Sequence, residues 1–361
     1  MNSSTSSSDT HRQYVLGLAA VAVVPAFILF VIGVFLEPIY GDLTRVGSYS
    51  ERRFGWTIPQ LEFSKPLYTE NKYDRYHDIV VLGDSFSTGS PKLQWQNHLI
   101  ADSAWSVVTM KATAIKLDAV VNSRIFLETP PRVFVLESIE RELPRRINNG
   151  RPCDTSATTA PQSSISKSVL PRASSLGSAV AKPVERKKDW NDVKLGFVIN
   201  FLRNGASRIL WDVDDTEVKK VVLDKVAPFS SLEKQELLVF FEDFISAASW
   251  RNMGLEEIGC RIEQIRKQVE ANGRTRFVLM IAPNKLTAYA SFFTDNRVDS
   301  SSMLNALAVR HPAHIPRVDL DLNSAIKSGE MDVYLPNDTH WGSSGHQIAA
   351  QSLREFLEKE K

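Results

Sequence analysis

The sequence predicts an α/β fold: a mostly parallel sheet with helices on both faces, a three-layer α/β/α arrangement. Three observations carry this. Residues 79–82 (Ile-Val-Val-Leu), 133–136 (Val-Phe-Val-Leu) and 277–281 (Phe-Val-Leu-Met-Ile) are unbroken apolar runs, the pattern of strands buried on both faces. Between the last two, Ile258, Ile262, Ile265 and Val269 recur at helical spacing. Strand and helix therefore alternate, as the crossovers of a parallel sheet require. With 361 residues, 43% of them hydrophobic and 24% charged, the chain can hold one large domain or two ordinary ones. A formal net charge of +1 gives no electrostatic reason for a nucleic-acid partner.

The elements follow in chain order. Residues 1–13 are rich in Ser and Thr and read as a disordered tail. Residues 14–36 contain no charge, and at about 1.5 Å per residue they can cross a hydrocarbon core. Pro25 is tolerable within such a span. The run is longer than a signal-peptide core and no small-x-small site precedes Glu37-Pro38, so it reads as an uncleaved single-pass anchor. Residues 37–76 are a connector that packs partly on the domain. Residues 77–144 are the first part of the sheet domain. It has strands at 79–82, 105–110 and 132–136, a helix burying Leu93, Trp95, Leu99 and Ile100, and a helix at 115–127. Residues 145–189, dominated by Ser, Thr, Ala and Pro, read as a flexible insertion. Residues 190–229 form a small lobe of unassigned fold.

Residues 230–361 are the second part of the sheet domain. Residues 237–241 are open to two readings, a strand or the start of a helix through Trp250. Ala271-Asn272-Gly273 stops the next helix. Strand 277–281 follows, then a weaker last strand at 318–320. A closing helix at 342–358 turns Ile348, Leu353 and Phe356 to the sheet. Cys153 and Cys260 do not make a disulfide scaffold, and a pair or two free thiols both stay open. His311 and His314 have metal-ligand spacing, but Pro312 lies between them and the segment reads as a surface loop.

Two segments carry chemistry. Strand 79–82 runs into Gly83-Asp84-Ser85-Phe86-Ser87, which places Ser85 at the carboxyl end of a central strand, the usual ligand edge of an open α/β sheet. The entry to the following helix offers backbone N–H donors. A capping serine satisfies the same pattern. Far along the chain stands Asn337-Asp338-Thr339-His340-Trp341-Gly342. A serine nucleophile needs a base, and the base an orienting carboxylate. In an extended segment, residues two apart point the same way, so Asp338 can reach one ring nitrogen of His340 and leave the other for Ser85.

These motifs resemble the SGNH hydrolase-like superfamily, and more narrowly its alginate O-acetyltransferase branch, which modifies secreted polysaccharides. Gly83-Asp84-Ser85-Phe86-Ser87 is similar to that branch's nucleophile motif and Asp338-Thr339-His340-Trp341 to its base motif. Glu140-Arg141, after strand 133–136, resembles its strand ending in Glu-Arg. Pro283-Asn284-Lys285 through Tyr289 resembles its Pro-x-Lys segment. The order differs: here the serine precedes the Asp-x-His, as in ordinary SGNH esterases, so the chain looks circularly permuted relative to the alginate enzymes. No Gly-x-Asn-Asp segment is visible, and no glycine stands at Met110-Lys111-Ala112-Thr113.

The resemblance implies acyl transfer by Ser85, His340 and Asp338 to a polysaccharide hydroxyl, from a membrane-bound O-acyltransferase as acetyl donor; a carbohydrate or lipid esterase with the same triad and a non-catalytic glycan-binding scaffold of the same fold stay open beside it. It also implies an anchor in the inner membrane with the domain outside the cytoplasm. No cofactor or metal is called for. The oxyanion would be met by Ser85 N–H, aided by a backbone N–H near Ala112 or by Arg141. Glu140 and Arg141 have a sugar-orienting reading beside that of a strand-end ion pair. Lys285 has a glycan-binding reading beside that of a solvated loop lysine. Trp341 either stacks on a sugar or packs under His340.

Overall fold

The computed structural model describes residues 6–35, 39–148, 153, 170–177, 179–185, 195–214, 216–294 and 300–359. Helices α1 (Ser6–Phe35), α2 (Asp42–Gly47) and α3 (Glu51–Phe54) lead into strands β1 (Gln60–Glu62), β2 (Thr69–Glu70) and β3 (Ile79–Gly83). Next come α4 (Ser85–Thr88), α5 (Trp95–Ser103), β4 (Val107–Lys111), α6 (Leu117–Val121), α7 (Arg124–Glu128), β5 (Val133–Ile139) and α8 (Leu143–Ile147). Beyond these lie β6 (Lys182–Val184), α9 (Leu195–Trp211), β7 (Val218–Val222), β8 (Glu236–Phe240), α10 (Phe241–Met253) and α11 (Leu255–Glu270). β9 (Arg276–Ala282), α12 (Lys285–Ala288), α13 (Ser300–Arg310), α14 (Val318–Lys327) and α15 (Ser343–Glu358) complete the chain.

The central sheet runs β2-β4-β3-β5-β9, every neighbouring pair parallel. Its apolar runs divide by parity, because successive strand side chains point to opposite faces. Ile79, Val81, Val133, Val135, Val278 and Met280 join the core under α5, α14 and α15. Val80, Leu82, Phe134, Leu136, Leu279 and Ile281 join the core under α8, α11 and α13. Each fully buried side chain of this kind contributes about 1.5–3 kcal/mol. The predicted three-layer α/β/α fold is therefore the fold observed.

Several elements differ from expectation. Residues 318–320 are helical, not strand: Val318, Leu322 and Ile326 are buried at a spacing of four, whereas Leu320 is half exposed. The short alternation of apolar and acidic residues imitated a strand. The helix expected at 115–127 is two, split where Ser123 accepts from Phe126 N–H and starts α7. Residues 237–241 satisfy both readings, since β8 passes directly into α10. Helix α1 begins at Ser6, so it extends into the expected tail; residues 1–5 lie outside the described residues.

The connector and the small lobe are one unit. β7 pairs antiparallel with β8, and Val218 and Leu238 of that hairpin pack with Leu43, Tyr49 and Phe54. The insertion is pinned wherever it is described. β6 pairs antiparallel with β1, Leu170 enters the core, and Trp105 donates to the Pro171 carbonyl at 2.8 Å. Cys153 and Cys260 form a disulfide across a sequence separation of 107 residues, which ties the insertion to α11. The remainder of 145–189 lies outside the described residues.

A loop of that length leaves much entropy for a crosslink to remove from the unfolded chain. The Cys153→Ser, Cys260→Ser double variant is expected to lose about 3–4 kcal/mol by denaturant unfolding. Reduced wild type should fall to the same midpoint.

Candidate active site

Strand β3 delivers the first half of the site. Gly83 ends it where a Cβ would lie 2.6 Å from Ser87 Cβ and 2.7 Å from Glu137 Oε2, so only glycine fits. Asp84 then caps α4. Its carboxylate accepts from Phe86 N–H at 3.0 Å, Ile139 N–H at 2.8 Å and Arg146 at 3.0 Å, which fixes the turn against the end of β5. Buried Glu137 accepts from Asp84 N–H at 3.0 Å and Ser87 Oγ at 2.8 Å. Burial and the neighbouring Asp84 charge push Glu137 well above the ordinary carboxylate range. Ser87 also receives Trp95 Nε1–H at 3.1 Å and is inaccessible. Ser85 is the exposed serine of the motif. The N–H groups of Phe86, Ser87 and Thr88 all bond to Asp84, so within this turn the Ser85 N–H is the donor without a hydrogen bond among the described residues.

The second half is the loop ahead of α15. His340 Nδ1 lies 2.6 Å from Asp338 Oδ1, and its backbone N–H donates to the same oxygen at 2.9 Å. This fixes the tautomer with the proton on Nδ1 and the lone pair on Nε2. His340 Nε2 is buried and has no partner among the described residues, so the Ser85 hydroxyl is not hydrogen-bonded to it here. The two halves nonetheless meet. Phe86, the residue after Ser85, sets its ring 5.0 Å from the His340 ring and 4.9 Å from Trp341. Burial opposes the imidazolium, but the charges of Asp338, Asp42 and Asp84 outweigh it and raise the His340 pKa. Asp338 is held below its ordinary range: burial opposes this, and the His340 charge and hydrogen bonds prevail.

Asp42 was not foreseen. It starts α2, donates its N–H to Asp338 Oδ2 at 3.1 Å, accepts from Thr339 N–H at 2.9 Å, and has Oδ2 3.8 Å from His340 Nδ1. Burial and the Asp338 charge push it up to about 7. Asp42, Asp338 and His340 offer ligand-capable atoms within 4.8 Å of one another. Their contacts are those of a hydrogen-bonded base, because Nδ1 points its proton at Asp338 instead of a lone pair at a shared ion. No pattern in the sequence marks Asp42; only the folded connector brings it here. Glu137 did have a signal, a carboxylate at the end of an apolar strand.

Lys285 is neither a glycan contact nor a solvated lysine. It is fully buried, and Nζ donates to the carbonyls of Leu335 at 2.8 Å, Pro336 at 3.0 Å and Asp338 at 3.0 Å. Burial drags its pKa down to about 7 against the pull of Asp338 and Asp42. Three acceptors match the three protons of an ammonium, one more than a neutral amine carries. Trp341 is fully buried between Phe86, Tyr334 and His346, so it packs beneath the site and has no face for a sugar.

Glu140 is buried too. It accepts from Asn284 N–H at 2.9 Å, and burial raises it to about 7. Arg141 pairs with Asp243 at 3.0 Å and lies over Phe240 at 5.3 Å. Both therefore join β5 to α10 and β9. The Ala112 N–H is engaged by the Gly83 carbonyl at 2.8 Å. Ala112 lines a cavity of about 510 Å³ with Thr113, Lys116, Arg145 and Arg146, on the sheet face away from His340. His311 and His314 face different partners, Glu263 and the Phe277 carbonyl.

Residues 240–361 match the family described as SGNH hydrolase-like domain, acetyltransferase AlgX. Over these residues the chain matches the SGNH-like alginate acetyltransferase branch. The matched segment holds Lys285, Asp338, His340 and Trp341, and it supports an acetyltransferase-type function. No curated protein and no solved structure matches.

Lys285→Met would keep the side-chain bulk but strip the Pro336 and Asp338 carbonyls of their donor, at about 1–3 kcal/mol for each group left unsatisfied. The Leu335 carbonyl keeps the Asp338 N–H at 3.2 Å. We expect a lower unfolding midpoint and a larger relative loss of turnover than of stability. Unchanged turnover in a folded Lys285→Met protein would contradict the clamp.

Proposed function

We propose that the protein is a membrane-anchored O-acetyltransferase that carries an acetyl group on Ser85 to hydroxyls of an extracytoplasmic polysaccharide. One observation carries the reading: the Asp338-oriented His340, its Nε2 unpartnered, lies against the residue that follows Ser85. In the proposed reaction Ser85 Oγ attacks the acyl carbonyl carbon as Nε2 takes its proton. The tetrahedral oxyanion accepts from Ser85 N–H. Collapse expels the donor's leaving group, which regains the proton from His340. A sugar hydroxyl then attacks the acetyl carbonyl, His340 removes its proton, and Ser85 departs protonated. Asp338 stabilises the imidazolium in both steps. A membrane-bound O-acyltransferase supplies the acetyl group.

Helix α1 supports the anchor, with an apolar span at Asp9–Gly33 exposed along nearly its whole length. The Cys153–Cys260 disulfide supports an oxidising compartment such as the periplasm. A second reading, carbohydrate or lipid esterase, rests on the exposure of Ser85, which lets water compete for the acyl-enzyme.

A fluorophosphonate should label the protein at Ser85, and Ser85→Ala should lose both label and acetyl transfer to an oligosaccharide. Label at another residue, or transfer retained in Ser85→Ala, would sink the assignment. Acetate released to water in place of transfer would select the esterase.

The base must be neutral to act, and its pKa lies above the usual 6.5, so kcat/KM should rise with pH through a midpoint above that value. Asp338→Asn removes the charge that raises it. Turnover should fall by about a thousand- to ten-thousand-fold, and the acid limb should move to lower pH. A chelator should leave the wild-type rate unchanged.

A further inference from the structure

One helix of the small lobe presents an apolar face that the acyl-transfer chemistry does not use. On α9, Ile199, Leu202, Ile209 and Leu210 are all exposed, Ile209 at 84%. At about 100° per residue they fall within one arc of about 100°. The opposite side of the helix holds the domain. Asn204 donates to Ser48 Oγ at 3.0 Å, and Arg208 bonds the Ser48 carbonyl at 3.2 Å and lies over Tyr49 at 4.0 Å. Val198 is buried and Phe197 and Phe201 are half-buried on the inward side as well. The helix is thus seated on the domain by polar and apolar contacts and still turns a second apolar arc outward, which a core helix does not do. Trp211, 66% exposed, ends it, and exposed Arg203 flanks the apolar arc.

What covers this face is indicated by α1, which packs against α9. The side chains of α1 that lose exposure are at Leu29, Val31, Ile32 and Gly33, near its carboxyl end. At about 1.5 Å per residue they lie about 3–9 Å from the helix end at Phe35. An interfacial amphipathic helix sits about 5–10 Å deep at the headgroup–acyl boundary. The two depths agree.

We infer that α9 lies in the outer surface of the bilayer that α1 crosses, its Ile199, Leu202, Ile209 and Leu210 among the acyl chains. Arg203 meets anionic headgroups and Trp211 sits at the interface. This rests on the anchor reading of α1.

The test uses the full chain in phosphatidylethanolamine–phosphatidylglycerol nanodiscs. The native cysteines are paired, so an environment-sensitive fluorophore can be placed on Val21→Cys in α1 or on Ile209→Cys in α9. The inference expects both labels to gain emission several-fold, with the label at 209 quenched by shallow spin-labelled lipid and shielded from aqueous iodide. A lipid-quenched label at 21 with a fully iodide-accessible label at 209 overturns it and leaves the anchor standing. Aqueous labels at both positions overturn the anchor and the inference together.

Discussion

A single buried lysine holds the Asp338–His340 loop in place. The loop that carries Asp338 and His340 has no helix of its own and is closed on itself by an isolated bridge between Tyr334 and Trp341. The Pro336 and Asp338 carbonyls would be orphaned in the interior without Lys285, and a buried backbone acceptor left unpaired is costly. Lys285 stands just beyond β9, so the loop takes its position from the sheet. The Asn337 carbonyl is met from the other side by the N–H groups of Leu43 and Thr44 at 3.2 and 3.3 Å. Gly41 lies so close to Asn337 that a Cβ would fall 1.9 Å from its carbonyl oxygen. The base is oriented from two directions before any substrate arrives.

The Ser85 turn is rigid for a different reason. Asp84 and Glu137 are two acidic groups side by side, stabilised by Arg146 and by backbone donors instead of solvent. Asp84 holds the turn by charge-assisted hydrogen bonds and buried Glu137 by ordinary ones, leaving Ser85 outside the network. The arrangement separates holding from reacting: Ser87 is locked in the network and Ser85 is not.

Much of the architecture was legible. Parallel strands buried on both faces are written as unbroken apolar runs, and the parity of those runs names the residues of each core layer. The motifs at 83–87 and 338–342 were visible because strand-end turns and Asp-x-His spacing are local patterns. The roles of Lys285, Trp341, Glu140 and Arg141 were not, since burial is a property of the fold and their motifs read equally well as exposed. Asp42 had no pattern at all, being separated from Asp338 by 296 residues. The strand expected at 318–320 failed because a three-residue window cannot tell alternation from a helix of period four.

The meeting of Asp42 with Asp338 sets a leash. Six residues lie between Phe35 and Asp42, and a fully extended chain covers at most about 25 Å over those seven steps. Asp42 stays within that radius of the end of α1, and its carboxylate lies 3.8 Å from His340 Nδ1, so the leash is knotted into the site itself. A fragment trimmed past Gly41 would shed part of the support for the base along with the helix. Pulling on that linker would draw on Asp42 and, through its bonds, on Asp338 and Thr339.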